Sequence, residues 1–290
     1  MEKLIKKVKI LCWNFSLFGG EGAESGVEEL YSSLKEMISD NRKNKELYQH
    51  EIASHLSIII YDYLEVKEYV NWQSSIKKHY ANCFKKNILP IFIGGNHLSV
   101  LPIYNYYTET NTKTLIISFD AHVDAYDYDK NKTKMNHGNF LFHFKKNNNV
   151  DLIHIGNREL SLKRSAVDGI INNIFSMQYI IDHGVDRLIE EICEISKQYD
   201  EIHLDIDVDV FDQSIIGATG VPMPFGLYPQ QMIKILSGIW SEKIVGLSIT
   251  EFNSIINDNN KSKPFLMWFI EYLILLIYRN DINKKDSVFF

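Results

Sequence analysis

The chain has 290 residues, 45% of them hydrophobic, and a formal net charge of −6. That length can bury one large α/β core or two small ones, and the acidic balance gives no electrostatic footing for nucleic acid or an anionic membrane. Cys12, Cys83 and Cys193 form no CxxC pair, which argues against a disulfide framework or a structural zinc site and fits a reducing compartment. The lysine-rich start carries no long apolar stretch, so no secretory signal is read there. Residues 265–278 are the most apolar segment but are interrupted by Glu271, which suits a buried helix better than a membrane span. A soluble cytoplasmic protein is expected.

In chain order, residues 8–13 read as a buried strand, followed by a turn rich in glycine at Gly19, Gly20, Gly22 and Gly26. Apolar residues at helical spacing over 27–38 predict a helix. A second strand is expected at 56–61 and a long amphipathic helix at 66–86. A third strand at 88–93 is broken by Gly94-Gly95, and a helix over 98–107 follows. A fourth strand occupies 114–120, and 125–136 is a polar loop. Strands are expected at 152–155 and 174–179, a helix at 185–199 and a seventh strand at 202–208. A Gly/Pro loop covers 217–226. A helix with Pro229 in its first turn runs to 240, an eighth strand covers 244–249, and 265–278 form the last helix.

Most of these strands are continuous apolar runs, the pattern of strands buried on both faces, and helices separate most of them. One open, mostly parallel sheet with helices on both sides follows. Ligands of such sheets bind beyond the carboxyl ends of the strands. The polar clusters lie there: His97, Asp120 to Asp124, Asp205 to Asp209, and Glu251.

The segment 114–124 ends in Asp120, His122 and Asp124, spaced two apart. If the strand continues through them, all three point to one face. Two carboxylates and an imidazole converging there call for a cation. Asp205, Asp207 and Asp209 repeat the form, and spacing alone does not choose among them. Asp and His without thiolate suit manganese, with magnesium second. The bland alternative is a solvated turn, where Asp is common, and two such clusters would need the same excuse.

Gly94-Gly95-Asn96-His97, then Ser118-Phe119-Asp120-Ala121-His122-Val123-Asp124, then Asp207-Val208-Asp209 through Gly226 resemble the three successive motifs of the ureohydrolases, the arginase, agmatinase and formimidoylglutamase superfamily. Gly26-Val27-Glu28 and Thr250-Glu251-Phe252-Asn253 resemble further segments of it. The resemblance implies a single catalytic domain over 1–290, a three-layer αβα sandwich with an eight-stranded sheet and two Mn(II) ions. Gln213 and Gly226 fit the motif only if Asp207 and Asp209 are ligands. The resemblance then implies one ion on His97, Asp120, Asp124 and Asp207, and another on His122, Asp120, Asp207 and Asp209. It also implies that Glu251 pairs with a planar cationic substrate group and that His137, in Asn136-His137-Gly138, carries a proton to the leaving amine. Asp124 is counted with these catalytic residues as well as with the ligands. Two cations would turn water into the nucleophile.

Several positions depart from the motif. Asn96 stands where Asp is usual, which would leave His97 without a neighbouring charge. Asp205 replaces a Ser or Thr, and Ser254 a Pro. In relatives acting on free arginine, the loop 125–136 supplies Asn and Ser for the amino-acid end; here Tyr126, Thr133 and Met135 stand there. The expected reaction is arginase-type hydrolysis to ornithine and urea, with arginine inside a peptide ahead of free arginine. Agmatine and formimidoylglutamate are alternatives; Arg158 is the nearest Arg in sequence for the latter's carboxylates. A homo-oligomer is possible in this family. The competing classes are a metal-binding protein without turnover and a two-metal phosphatase or nuclease, which the acidic loop at 124–129 disfavours.

Overall fold

A computed structural model describes residues 6–44, 49–63, 69–126, 135–161 and 163–279. Eight strands form one sheet: β1 (Lys7–Phe15), β2 (Leu56–Tyr63), β3 (Ile88–Gly94), β4 (Thr114–Phe119), β5 (Val150–Ile155), β6 (Asn173–Phe175), β7 (Glu201–Asp207) and β8 (Ile244–Thr250). Their spatial order is β2-β1-β3-β8-β7-β4-β5-β6, and every pairing is parallel. Among the described residues seven helices connect and cover them: α1 (Ala23–Lys43), α2 (Gln49–Ala53), α3 (Tyr69–Lys85), α4 (Leu101–Thr108), α5 (Met177–Ser196), α6 (Pro229–Ile239) and α7 (Ser262–Tyr278).

The sheet is buried on both faces and separates two cores. One gathers residues of α1, α5, α6 and α7; the other gathers Trp72, Ile76 and Tyr80 of α3 with Ile103, Tyr104 and Tyr107 of α4. Strand alternation divides the side chains between them. On β7, Ile202, Leu204 and Ile206 enter the first core. His203, Asp205 and Asp207 are thereby turned towards the second layer. Leu236 on α6 is fully buried in the first core, far from these polar residues in the chain. Leu236→Ala is expected to cost about 2–5 kcal/mol through lost burial and a residual cavity, read as a shift in the urea unfolding midpoint.

Two expectations change. The sixth strand stops at Phe175, because the Ser176 side chain accepts a hydrogen bond from the Tyr179 N–H (3.1 Å) and starts α5. The helix expected from 185 thus begins at Met177, and Gly184 (φ 79°) interrupts its regular geometry. The strand expected to run through Asp120 stops at Phe119. The start expected for the second long helix, at 66, lies outside the described residues.

In the sheet, β3, β8, β7 and β4 are neighbours. Their carboxyl ends lead into His97, Glu251, Asp207 and Asp120 respectively. The four polar clusters seen separately in the sequence are therefore adjacent in space.

Candidate metal centre

After β4 the chain leaves strand geometry, and Asp124 takes a left-handed conformation (φ 47°). The residues expected on one strand face thus converge from a turn. That turn is held by its own amides: the Ala121 N–H donates to Asp209 Oδ1 (3.0 Å), the His122 N–H to Asp120 Oδ1 (2.6 Å) and the Val123 N–H to Glu159 Oε2 (3.0 Å). β7 ends at Asp207, and a 3-10 turn over Val208–Val210 carries Asp209, whose N–H donates to Asp207 Oδ1 (2.9 Å).

Two groups of candidate ligand atoms result. His97, Asp120, Asp124 and Asp207 offer atoms within 4.8 Å of one another, as do Asp120, His122 and Asp209. Asp120 belongs to both groups, whereas Asp207 falls only in the first. His97 Nδ1 is 3.1 Å from Asp120, 2.9 Å from Asp124 and 3.2 Å from Asp207. Yet this buried nitrogen makes no hydrogen bond among the described residues. With its proton displaced, this nitrogen faces three carboxylate oxygens as a cation's seat, and the donor set of imidazole and carboxylate fits a divalent ion. His122 Nδ1 lies 2.8 Å from Asp209 and 3.9 Å from Asp120.

Electrostatics point the same way. Burial pushes the Asp120 and Asp207 carboxyls well above the usual range, and Asp209 beside each adds to it. Burial would lower His97, but Asp205, Asp120 and Asp124 overturn this and hold it well above an ordinary histidine. Burial likewise opposes His122, and Asp209 carries it up to about 10. Buried like charges of this kind are stable when cations sit among them.

Glu251 enters from the end of β8 with φ 70°. Its Oε1 accepts the His97 N–H at 2.7 Å. Its Oε2 lies between Gly20 and Gly220, where a Cβ added to either glycine would come within 3.8 Å of it. Burial raises its carboxyl to about 7. His137 starts a 3-10 turn over His137–His143, capped by Asn136, and its Nδ1 is buried and without a hydrogen bond among the described residues.

All of this lines a cavity of about 540 Å³. His122, Asp124, Asp207, Asp209, His137 and Glu251 face it, with Tyr126, Glu21, Thr219, Gly220, Val221, Asn253 and Ile255. His97 and Asp120 lie beneath. The glycine turn was legible as a turn only; folded, it forms one wall. Gly19 (φ 126°) would place a Cβ 2.0 Å from His137 Nδ1, and Gly22 (φ 94°) a Cβ 2.7 Å from Asn253. Gly19→Ala is expected to displace the His137 ring and lower kcat about 10-fold or more, with metal content unchanged by elemental analysis.

The departures from the motif resolve differently from expectation. Asn96 turns away from His97, and its Nδ2 donates to the carbonyls of Leu17 and Gly19. The charge beside His97 comes instead from Asp205, at 2.9 Å from Nε2. Ser254 donates to Ser25 (2.9 Å). Met135 packs against the second core, and Thr133 lies outside the described residues. Arg158 is committed inside the fold: its guanidinium donates to the carbonyls of Asp209 (2.6 Å), Phe211 (3.2 Å) and Met223 (3.0 Å). It holds the Asp209 turn and is not among the residues that line the cavity described above. His203, two residues before Asp205, is fully buried, and its Nε2 meets the Ser248 hydroxyl that donates to Asp205.

An agmatinase of Proteus mirabilis is 27% identical over 158 residues, 54% of this chain and 50% of that relative. The chain thus spans about half that relative's length. An agmatinase of Neisseria meningitidis serogroup A is 23% identical over 247 residues, covering 82% of this chain and 76% of the relative. The crystal structure of formimidoylglutamase from Bacillus subtilis superposes with a TM-score of 0.73 at 20% identity, over 98% of this chain and 90% of that one. The family model described as "Arginase family" matches residues 7–275, so the chain belongs to the arginase family.

Proposed function

We propose that the protein is a binuclear manganese hydrolase of a guanidinium group, of arginase type, whose substrate is an arginine side chain within a peptide. The products are ornithine, left in the peptide, and urea. The observation that carries the reaction class is the orphaned His97 Nδ1 facing three carboxylate oxygens beside a second His/Asp group, under a cavity that also receives Glu251 and His137. His97, Asp120, Asp124 and Asp207 would hold one ion. His122, Asp209 and the shared Asp120 would hold the other, with Asp207 completing it. When bound, such a pair supplies hydroxide from water near neutral pH.

The chain's own groups do the rest. Glu251, anchored through Oε1 by the His97 N–H, offers Oε2 to the guanidinium nitrogens, and the charged pair orients the planar carbon. Thr219, buried with an unpaired hydroxyl among the described residues, faces the same cavity and can accept a further guanidinium N–H. His137 donates a proton to the leaving amine as its bond to the guanidinium carbon breaks, and Asp124, which faces the same cavity, takes up the proton of the added hydroxyl, so that neutral amine and neutral urea leave.

Substrate choice follows from the mouth. Among the described residues the cavity lining holds Glu21 and no Lys or Arg. Those lining residues offer no cationic partner to a free α-carboxylate. Val221 and Ile255, 57% and 70% exposed, form apolar lips at the same opening, which suit the neighbours of an arginine in a chain. Agmatine is the second reading. It also lacks a carboxylate, Glu21 could meet its distal ammonium, and relatives such as those above are named agmatinase. Formimidoylglutamate is disfavoured, because Arg158 is tied to backbone carbonyls. Urea release from an arginine-containing peptide, free arginine and agmatine decides among them. The peptide is expected to give the highest kcat/KM; a higher value for agmatine would favour the second reading, and urea from none would sink the guanidine reading.

A further inference from the structure

A column of polar side chains runs away from the metal centre along the buried face of the sheet. On β7 it consists of Asp207, Asp205 and His203; on neighbouring β8 the register sets Thr250, Ser248 and Gly246 beside them. Asp205 is fully buried. One of its oxygens receives His97 Nε2 (2.9 Å) and the Tyr104 hydroxyl (2.6 Å); the other receives the Ser248 hydroxyl. One step further down, His203 Nε2 is 3.0 Å from Ser248 Oγ, and its Nδ1 is 3.0 Å from the Tyr80 hydroxyl, itself 3.1 Å from that of Tyr107. Gly246 leaves room for this end: a Cβ there would lie 2.0 Å from Tyr80 Oη.

A carboxylate this deep costs several kcal/mol unless its oxygens are met. Here three side-chain donors meet them. A satisfied buried network of this kind is rigid. Its upper end fixes the His97 ring: with Nε2–H donating to Asp205, the lone pair is left on Nδ1, the atom that faces Asp120, Asp124 and Asp207. The residue beside His97 in sequence cannot do this, because Asn96 is turned towards Leu17 and Gly19.

We propose that Asp205 is the positioning residue for His97, held in turn by Ser248 and the His203–Tyr80–Tyr107 cluster. The affinity for the ion on the His97 side is then set from the buried face of the sheet, independently of substrate. The inference rests on the two-metal reading of the site and not on which guanidine compound is cleaved.

The test is titration of the metal-free chain with manganese alone, by calorimetry and by chelator competition. The unaltered chain is expected to bind two ions. Asp205→Ser is expected to weaken one of them about 10–100-fold, the range for removing a carboxylate behind a ligating histidine, and to leave the other within about 2-fold. Ser248→Ala, a smaller change that removes one donor to Asp205, is expected to weaken the same ion by a smaller factor. Excess manganese should restore kcat in both variants with KM unchanged. Unchanged affinity for both ions in Asp205→Ser, or equal weakening of both, would overturn the proposal. If Asp205→Ser does not fold, unchanged or equally weakened affinities in Ser248→Ala overturn it. Fewer than two ions on the unaltered chain would instead overturn the metal reading, and this inference with it.

Discussion

Replacing His122 with alanine is expected to yield a folded chain that holds one manganese ion and has lost nearly all turnover. His122 Nδ1 is 2.8 Å from Asp209 and belongs with Asp120 and Asp209 to only one of the two ligand groups. The other group needs His97, Asp124 and Asp207 and is untouched. The turn itself survives, because the residue 122 amide still donates to Asp120 and the Ala121 amide still donates to Asp209. Loss of the second cation removes the preorganised charge that generates the nucleophile, so a fall in kcat of about 10³-fold or more is expected. Elemental analysis beside urea release checks both halves. Two ions per chain in the variant would show that His122 is not a ligand.

Glu251→Gln should separate binding of the cations from binding of the substrate. The amide oxygen can still accept the His97 N–H, now 2.7 Å from Glu251 Oε1, so both ions are expected to stay. What disappears is the negative charge at Oε2, between Gly20 and Gly220. The buried partner of a guanidinium is then lost, at a cost of about 2–5 kcal/mol, or about 30- to 4,000-fold in kcat/KM. Steady-state kinetics with metal content measured on the same sample reads this directly. Loss of an ion would recast Glu251 as part of the metal cluster; unchanged kcat/KM would remove it from substrate recognition.

The fold was legible because burial on both faces leaves a plain mark: apolar runs such as Ile88 to Ile93 and Ile244 to Ile249, each ending in glycine or a polar cluster. Over 174–179 an apolar run continues past the strand's end and hides the Ser176 cap that starts α5. The residues that converge at the candidate metal centre were also legible, though partly for the wrong reason. Alternation holds for Asp205 and Asp207, which lie within β7. It fails for Asp120 to Asp124, where the strand has ended and a left-handed residue re-aims the chain. Contacts between distant segments were not legible. Gly22 against Asn253 spans most of the chain, and no local pattern announces that Glu21 and Val221 border one cavity. The apparent loss of charge beside His97 was a local reading too; the compensating carboxylate lies 108 residues away.

The most direct measurement is diffraction from manganese-soaked crystals at the manganese absorption edge. Two anomalous peaks are predicted in each chain, one against His97 and Asp124, the other against His122 and Asp209, with Asp120 touching both. A single peak, or two peaks away from these side chains, would contradict the account.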